Sequence, residues 1–432
     1  PGGSKESGGL IHIDGGPTVD AHNPAKSVFT IYEIPECGQA GYQTVAAAGA
    51  GKVAFATLAD TATETACTIE GRPGAKARAF NICVVLPADV GFVGSIATTQ
   101  SYDTMMGVGI ALDKTGTPVL AYTGGPSAAR HCGASDMVIA PVSGGQAGTP
   151  RTIAADSRST GMPDDQAANC AAQDVCNQGD ATGYWPSIAL DPVSGNLGVA
   201  FRDLHYGAGA DTDMASSDVE FALGPGYAVT TVDVARGGGT SNRLAFSPTG
   251  MAAVAHNSLS SKPGIWLDWQ TAAGWKSQKL LDGKSGEQLG FAISGQGLYA
   301  LAYYDSKTQM LFYRESSDGG VWSSAECVDN DGVVGNYPSL AFDDQGQPAI
   351  AYYRCNDYGA DGCSRDKDGL FLARRVNGTW VTRKIAGDSG VVDGLYTALA
   401  FMNGKAVIAF QTSTFDPVAG TTTVGLNVAK EM

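Results

Sequence analysis

The sequence predicts an all-β protein, a seven-bladed β-propeller built from four-stranded antiparallel blades. A pattern of short strands recurs seven times along the 432 residues, and its last copy lacks a strand that reappears near the N-terminus. The composition agrees with this architecture, because glycine is abundant at 58 residues and charged residues make up only 16%. Many short strands joined by glycine turns produce both features.

The clearest copy of the repeat lies between Asn336 and Ala386. Its alternating apolar pattern predicts four strands, with tight polar turns at Asp344–Gly346 and Asn377–Gly378. Four antiparallel strands in about 50 residues is the size of one propeller blade. The predicted strands are Ser339–Phe342, Ala349–Tyr353, Leu370–Val376 and Trp380–Ala386.

Six further copies each show an inner strand, a glycine turn and a second strand that ends in alanine and usually an aromatic residue. Two stacked β-sandwiches are the alternative fold, but they explain neither seven copies nor a displaced strand. The copies are Gly41–Thr57, Gly107–Thr123, Tyr184–Asp203, Ser241–Asn257, Leu289–Asp305 and Gly394–Gln411.

The two ends of the chain predict how the ring closes. The last copy continues to Thr422–Ala429 and then lacks a fourth strand, whereas Ser27–Ile34 precedes the first copy and resembles a fourth strand. We therefore expect Ser27–Ile34 to form the outer strand of the last blade, which removes a free sheet edge. Residues 27–432 then form one propeller, and residues 1–26 form a flexible N-terminal tether. One interpretation of this tether is that of a lipoprotein, in which a lipid is attached at the N-terminus.

Charge and cysteine content favour a secreted, periplasmic or cell-surface protein. A formal net charge of −15 argues against nucleic acid as a partner, since phosphate binding needs clustered lysine and arginine. No apolar run is long enough to span a membrane. Nine cysteines include two close pairs without zinc spacing, Cys170 with Cys176 and Cys355 with Cys363, which predict disulfides that close loops. The odd count leaves at least one thiol outside such pairs.

The long connections are predicted to lie on one face of the ring, where second strands end and the chain passes to the next blade. Long loops on a rigid scaffold are a common binding surface. The residues at the second-strand ends differ among blades, and we expect them to form a ligand-facing ring around the channel. The candidate ligand-binding residues are Arg202, Asp203, His205, His256, Asn257, Tyr304, Asp305, Tyr353, Arg354 and Gln411.

Calcium is the one cofactor that the sequence suggests, because oxygen-rich loops suit this ion. The first candidate site comprises Asp203, Asp211, Asp213 and Asp218, with Glu220 beside them. The second is Asp329-Asn330-Asp331. Neither matches the EF-hand loop pattern.

One turn motif carries a resemblance to a known family. The segment Ser316-Ser317-Asp318-Gly319-Gly320-Val321-Trp322 resembles the Asp-box, or BNR, repeat of sialidase-like propellers, with one residue fewer before the tryptophan. The resemblance implies a seven-bladed propeller and a structural turn between third and fourth strands. Sialidases carry an early Arg-Ile-Pro motif, but this sequence has Glu33-Ile34-Pro35, and the family's catalytic motifs are not found.

Three functions follow as hypotheses. The leading one is recognition of a glycan, a peptide or a protein partner on the loop-rich, disulfide-stapled face. The second is a carbohydrate-active enzyme, either a glycoside hydrolase or a polysaccharide lyase, at the channel mouth, which requires converging carboxylates or a His–Tyr pair. The third is a structural subunit of a surface assembly. Fold alone does not choose among them.

Overall fold

The computed structural model describes residues 10–12, 28–66, 76–102, 107–124, 136–155, 181–204, 217–232, 238–258, 263–283, 288–355, 358–359, 362–363, 368–387 and 391–432. Two strands, β1 (Leu10–His12) and β2 (Phe29–Glu33), and a short 3-10 helix (Pro35–Cys37) precede the first blade. Seven antiparallel blades then follow in chain order, which confirms the predicted fold.

The strands of the blades run from the axis outward in the order of the chain. Blade 1 comprises β3 (Ala40–Gly49), β4 (Lys52–Ala66), β5 (Lys76–Pro87) and β6 (Phe92–Tyr102). Blade 2 comprises β7 (Gly109–Leu112), β8 (Pro118–Gly124), β9 (Asp136–Ser143), the short β10 (Gln146–Ala147) and β11 (Arg151–Ala154), the last two both paired with β9. Blade 3 comprises β12 (Ala181–Leu190), β13 (Leu197–Leu204), β14 (Ser217–Leu223) and β15 (Ala228–Thr231). Blade 4 comprises β16 (Thr240–Phe246), β17 (Ala252–Ser258), β18 (Gly264–Thr271) and β19 (Gly274–Asp282).

The remaining blades follow the same order. Blade 5 comprises β20 (Gly290–Ile293), β21 (Tyr299–Asp305), β22 (Met310–Ser316) and β23 (Glu326–Asp329). Blade 6 comprises β24 (Val333–Phe342), β25 (Pro348–Cys355), β28 (Gly369–Val376) and β29 (Thr379–Ala386), with the hairpin β26 (Tyr358–Gly359) and β27 (Gly362–Cys363) between its second and third strands. Blade 7 comprises β30 (Val391–Met402), β31 (Lys405–Asp416) and β32 (Thr421–Glu431).

The N-terminal strand closes the ring, as the sequence predicted. Strand β2 pairs antiparallel with β32, so that Phe29 lies opposite Glu431 and Glu33 opposite Asn427. Phe29 and Ile31 are buried and pack between blades 6 and 7. A further strand, β1, pairs with the outer edge of β2. Both ends of the described chain are therefore held in one sheet.

The hydrophobic core is divided into seven clusters, one between each pair of neighbouring blades. This division follows from the strand period of two, which sends alternate side chains to opposite faces of each blade. The innermost strands of adjacent blades contact one another all the way around the ring. Small residues of these strands, such as Ala46, Ala245 and Ala341, remain partly exposed, and this exposure marks an axial channel.

A serine within the repeat joins adjacent blades. Ser187 Oγ of blade 3 accepts a hydrogen bond from the Leu244 backbone N–H of blade 4, at 2.9 Å. Ser339 Oγ of blade 6 accepts the equivalent bond from Leu399 N–H of blade 7, also at 2.9 Å. The serine of the Trp-Pro-Ser and Tyr-Pro-Ser segments therefore has a structural role between blades.

The Asp-box segment forms a turn between β22 and β23. Asp318 Oδ1 accepts hydrogen bonds from the backbone N–H groups of Gly320 at 2.8 Å and Val321 at 2.9 Å. These bonds hold the pKa of Asp318 below its usual value. Trp322 Nε1 donates to the Gly319 carbonyl at 2.9 Å, and its ring packs against the cluster between blades 4 and 5. The turn therefore has the structural role that the resemblance implied.

The cysteines differ in their surroundings. Cys37, just after the closing strand, forms a disulfide with Cys83 in β5 of blade 1, a pairing that the sequence did not reveal. Cys355 is disulfide-bonded, and the side chain of its predicted partner Cys363 lies outside the described part of the chain. Cys327 is free and exposed. The predicted Cys170–Cys176 pair lies outside the described residues.

Candidate functional site

The loop-rich face is the side of the ring at which second strands end and innermost strands begin. All described second strands of the blades point their C-terminal ends to this face, as predicted. From residue 28 onward, the segments outside the described residues all join strands at this face. Within the residues that are described, no helix is long and apolar enough to cross a membrane.

The candidates in blade 3 are buried side chains. Arg202 in β13 is fully buried, and its guanidinium lies 5.4 Å from the centre of the Trp185 ring. Asp203 is also buried and lies opposite Asp218 in β14. His205 and the other two predicted calcium ligands, Asp211 and Asp213, lie outside the described residues.

His256 in blade 4 is fully buried within its own blade. Its Nδ1 accepts the Gly239 backbone N–H at 3.1 Å, so the proton is on Nε2, which donates to Asp268 Oδ2 at 2.8 Å. Ser277 donates to the other carboxylate oxygen of Asp268. The neighbouring Asn257 is also buried, and its carbonyl accepts the Thr240 hydroxyl at 3.2 Å. Both ring nitrogens of His256 thus serve a structural network.

Arg354 in blade 6 forms an ion pair with the preceding blade. Its Nη2 lies 2.8 Å from Asp329 Oδ1 and 3.1 Å from Asp331 Oδ2. Tyr352 donates to the second oxygen of Asp329 at 2.5 Å, and burial beside this carboxylate raises the tyrosine pKa well above its usual value. In the second predicted calcium cluster, the carboxylates of Asp329 and Asp331 are therefore paired with the Arg354 guanidinium. Tyr353 donates to the buried Asp368 at 2.8 Å.

The remaining candidates also have local roles. Asp305 caps the turn after β21, accepting the Lys307 backbone N–H at 2.9 Å. Tyr304 is half-buried beside it, and burial raises its pKa. Gln411 is buried, and Gly41 packs so closely on it that an added Cβ would lie 2.6 Å from Gln411 Cβ. In the described part of the chain, no group of three His, Cys, Asp or Glu side chains has the geometry to hold a metal ion.

A different set of residues lines the channel mouth, and sequence reasoning missed it. At one equivalent position of the innermost strands, just inside the loop-rich face, five residues other than glycine have positive φ. Bulky residues rarely adopt this conformation, and it clusters at functional sites. We call these residues, with Gln288 at the matching position of blade 5, the mouth ring. Its members are Gln43 (51°), Trp185 (44°), Ser241 (54°), Gln288, Tyr337 (53°) and Tyr396 (48°).

The conformation follows from an irregularity in each inner strand. The register of the pairing shifts between Tyr184 and Ser187, and likewise between Asn336 and Ser339. Such a bulge re-aims a side chain. It also explains why the first strand of blade 6 begins at Val333, earlier than the predicted Ser339. The sequence signal was a glycine two residues before each ring residue with positive φ, as in Gly335-Asn336-Tyr337.

Side chains of the mouth ring meet across the channel. Gln288 of blade 5 donates through Nε2 to Gln43 Oε1 of blade 1 at 3.0 Å, although these blades are not neighbours. Aromatic rings also meet between neighbouring blades. The rings of Tyr337 and Tyr396 lie 4.5 Å apart, and the ring of Tyr42, the residue before Gln43 of the mouth ring, lies 6.0 Å from that of Tyr396 in an edge-on arrangement. The mouth thus combines a group of aromatic rings with an amide bridge.

The opposite face has a depression of about 330 Å³ beside blade 6, between the turns at Asp343 and Asn377. Two arginines line it, and both are engaged. Arg374 lies 2.5 Å from Glu431, and Arg375 lies 2.9 Å from Glu315. The mouth ring is therefore the better candidate site.

Fold and mouth together define a seven-bladed propeller with a ring of aromatic and amide side chains at one end of its axial channel. No protein-family model and no curated protein sequence matches this chain. Solved structures match it in fold. A protein of unknown function from Dyadobacter fermentans has 10% identity and a TM-score of 0.46, with 93% of this chain and 97% of that chain covered.

Two carbohydrate-active enzymes are also similar in fold. Trypanosoma rangeli sialidase in complex with sialic acid has 10% identity and a TM-score of 0.46, over 98% of this chain and 59% of that chain. Penicillium chrysogenum α-L-arabinanase in complex with arabinobiose has 13% identity and a TM-score of 0.43, over 76% and 92%. At these values the similarity concerns the fold and carries no information on activity.

Proposed function

We propose that this protein is an extracytoplasmic recognition propeller that binds a glycan at the mouth ring. The carrying observation is the group of Tyr42, Tyr337 and Tyr396 beside the Gln43–Gln288 amide bridge. Aromatic faces provide rigid apolar contact area, and amides provide hydrogen bonds that match hydroxyl groups. Binding sites typically combine mainly apolar walls with a few such polar groups.

The state of the acidic residues favours binding over hydrolysis. A glycoside hydrolase needs two carboxyl groups on either side of the scissile bond. Around the loop-rich face, described carboxylates are held by structural partners: Asp329 by Arg354, and Asp268 by His256. Asp393, at the start of β30, accepts the Thr412 hydroxyl at 2.6 Å. The Cys37–Cys83 disulfide supports an oxidising compartment.

Attachment to a surface assembly is a second candidate, and the exposed free thiol of Cys327 favours it. Partial burial and the nearby Asp329 raise the pKa of this thiol. The reactive thiolate is therefore scarce at neutral pH, which makes covalent attachment slow.

A glycan array run beside a panel of hydrolase and lyase substrates tests the proposal. Tyr396→Ala is expected to weaken binding of a glycan hit by about tenfold or more, the effect of removing a well-packed aromatic contact. Phe415→Ala is the matched control, because Phe415 is an exposed aromatic residue of the same blade in the strand that runs to the β31–β32 turn. Turnover of a panel substrate, or equal binding by both variants, would contradict the proposal.

A further inference from the structure

The wall of the axial channel is almost free of charge. The seven innermost strands are β3, β7, β12, β16, β20, β24 and β30, and only two of their residues are charged, Arg243 and Asp393. Asp393 already has the Thr412 hydroxyl as a partner. Arg243 is therefore the one cation on these strands, in a chain whose net charge is −15.

Arg243 lies in the channel, two residues deeper along β16 than Ser241 of the mouth ring. Its side chain is partly exposed, yet burial lowers its pKa to about 10. A narrow channel explains both properties, because small solvent molecules reach the guanidinium while protein surrounds it. Its Nη1 donates to the Asn242 carbonyl at 3.0 Å, and no carboxylate of the described residues is within ion-pair distance.

Two other interior arginines have acidic partners, and a third, Arg314, donates to two backbone carbonyls, those of Ser323 and Leu280. Arg354 is paired with Asp329, and Arg374 with Glu431. A desolvated guanidinium without a carboxylate costs free energy, and such costs persist mainly at functional sites. Arg243 has a single backbone acceptor, the Asn242 carbonyl, and no carboxylate among the described residues, so its remaining donors are available to an anionic ligand.

A second unsatisfied group lies at the mouth. Gln288 is only 1% exposed and uses its Nε2 for the bridge to Gln43, but its Oε1 has no donor. A buried acceptor without a donor is rare in folded proteins. It matches a ligand that offers a hydroxyl or N–H group at the mouth.

We propose that the channel holds the carboxylate of the ligand at Arg243, so that the ligand recognised at the mouth ring is an acidic one. This inference rests on the proposed function and names its ligand class. One guanidinium neutralises one negative charge and binds a carboxylate through paired hydrogen bonds. Walls of low polarity strengthen that attraction, because they screen the charges less than water does.

The test compares each acid with its neutral counterpart. Isothermal titration with galacturonate and with galactose measures how much a carboxylate on a sugar adds to the affinity. Titration with N-acetylglycine and with its amide measures the same contribution for the carboxylate of a peptide C-terminus. The wild type is expected to prefer the acid by about tenfold or more, as a charged hydrogen bond implies. The acid that shows this preference identifies the source of the carboxylate. Equal affinity for acid and neutral forms in both pairs overturns the proposal.

Two variants locate the effect. Arg243→Gln is expected to abolish the preference for the acid and to leave binding of the neutral form unchanged. Arg151→Gln makes the same charge change on the outer strand β11, where Arg151 packs on Tyr227 and donates to the Pro225 carbonyl, and it is expected to retain the preference. Retention of the preference in Arg243→Gln overturns the proposal.

Acetate probes the same site without a sugar. Replacing chloride by acetate at constant ionic strength is expected to raise the thermal midpoint of the wild type and not that of Arg243→Gln, because a bound anion stabilises the folded state. Equal changes in both proteins overturn the proposal. Tyr396→Ala is expected to keep the acetate effect while losing glycan binding. Failure of the mouth ring as a glycan site is thereby distinguished from failure of the anion site.

Discussion

Replacing Arg243 by glutamine is expected to stabilise the protein in the absence of ligand. Burial lowers the arginine pKa from its ordinary value to about 10, which corresponds to a cost of about 3 kcal/mol for holding the charge in the channel. The substitution removes that cost and loses the hydrogen bond to the Asn242 carbonyl, worth about 1 kcal/mol. The expected net gain is about 2 kcal/mol, or about 2 °C in the calorimetric midpoint for a chain of this length.

The same substitution at Arg354 is the control, because it is expected to lower the stability of the protein. Arg354→Gln breaks the buried pair with Asp329 and is expected to cost about 3–5 kcal/mol. The pH dependence gives a second check. Between pH 10 and the ordinary arginine pKa, the unfolded chain binds more protons than the folded protein, so the cost at Arg243 falls as pH rises. The advantage of Arg243→Gln should therefore shrink above pH 10, and a loss of stability at pH 7 would refute the reasoning.

Three further substitutions test the scaffold. Replacing Cys37 and Cys83 by serine removes a disulfide that joins residues with a sequence separation of 46, and it is expected to lower the free energy of unfolding by about 4 kcal/mol. Denaturant unfolding measures this loss, and an unchanged midpoint would contradict a role of the disulfide in closing the ring. Ile31→Ala in the closing strand removes a side chain that is 5% exposed and is expected to cost about 2–5 kcal/mol, measured in the same way, whereas no loss would show that β2 contributes little. Asp318→Ala is expected to lower the stability at pH values above the usual aspartate pKa and to have less effect in acid. The reason is that the hydrogen bonds that lower the Asp318 pKa stabilise the turn only while the carboxylate is charged. Calorimetry at several pH values checks this, and an equal loss at every pH would contradict it.

The repeat made the scaffold predictable. Its strands, its turns and the displaced strand Ser27–Ile34 follow from alternation of apolar residues and from local turn residues, and both are properties of short segments. The Asp-box turn was predictable for the same reason, since Asp318 bonds to backbone groups two and three residues away. The Cys37–Cys83 bond was not, because its partners meet only when the last blade closes onto the first.

The candidate site was predictable in place but not in its residues. The second-strand ends do reach the loop-rich face, yet Arg202 and Gln411 are buried there. Gly239 and Gly41, which open the next blade, pack directly on them. These glycines have φ of 95° and 108°, and an added Cβ at either would lie within 3 Å of the preceding blade. The interior position of the second-strand ends is therefore a consequence of contact between blades.

By itself, the sequence determined the fold class, the number of blades, the closing strand and the face that carries the long loops. These depend on hydrophobic period and chain order, which a single chain displays directly. Only the tertiary structure decided which side chains line the channel, because bulges with positive φ re-aim Tyr337 and Tyr396 toward the axis. It also decided that Arg243 has no acidic partner among the described residues, since the carboxylates that come near a guanidinium depend on how the strands pack and not on distance in sequence.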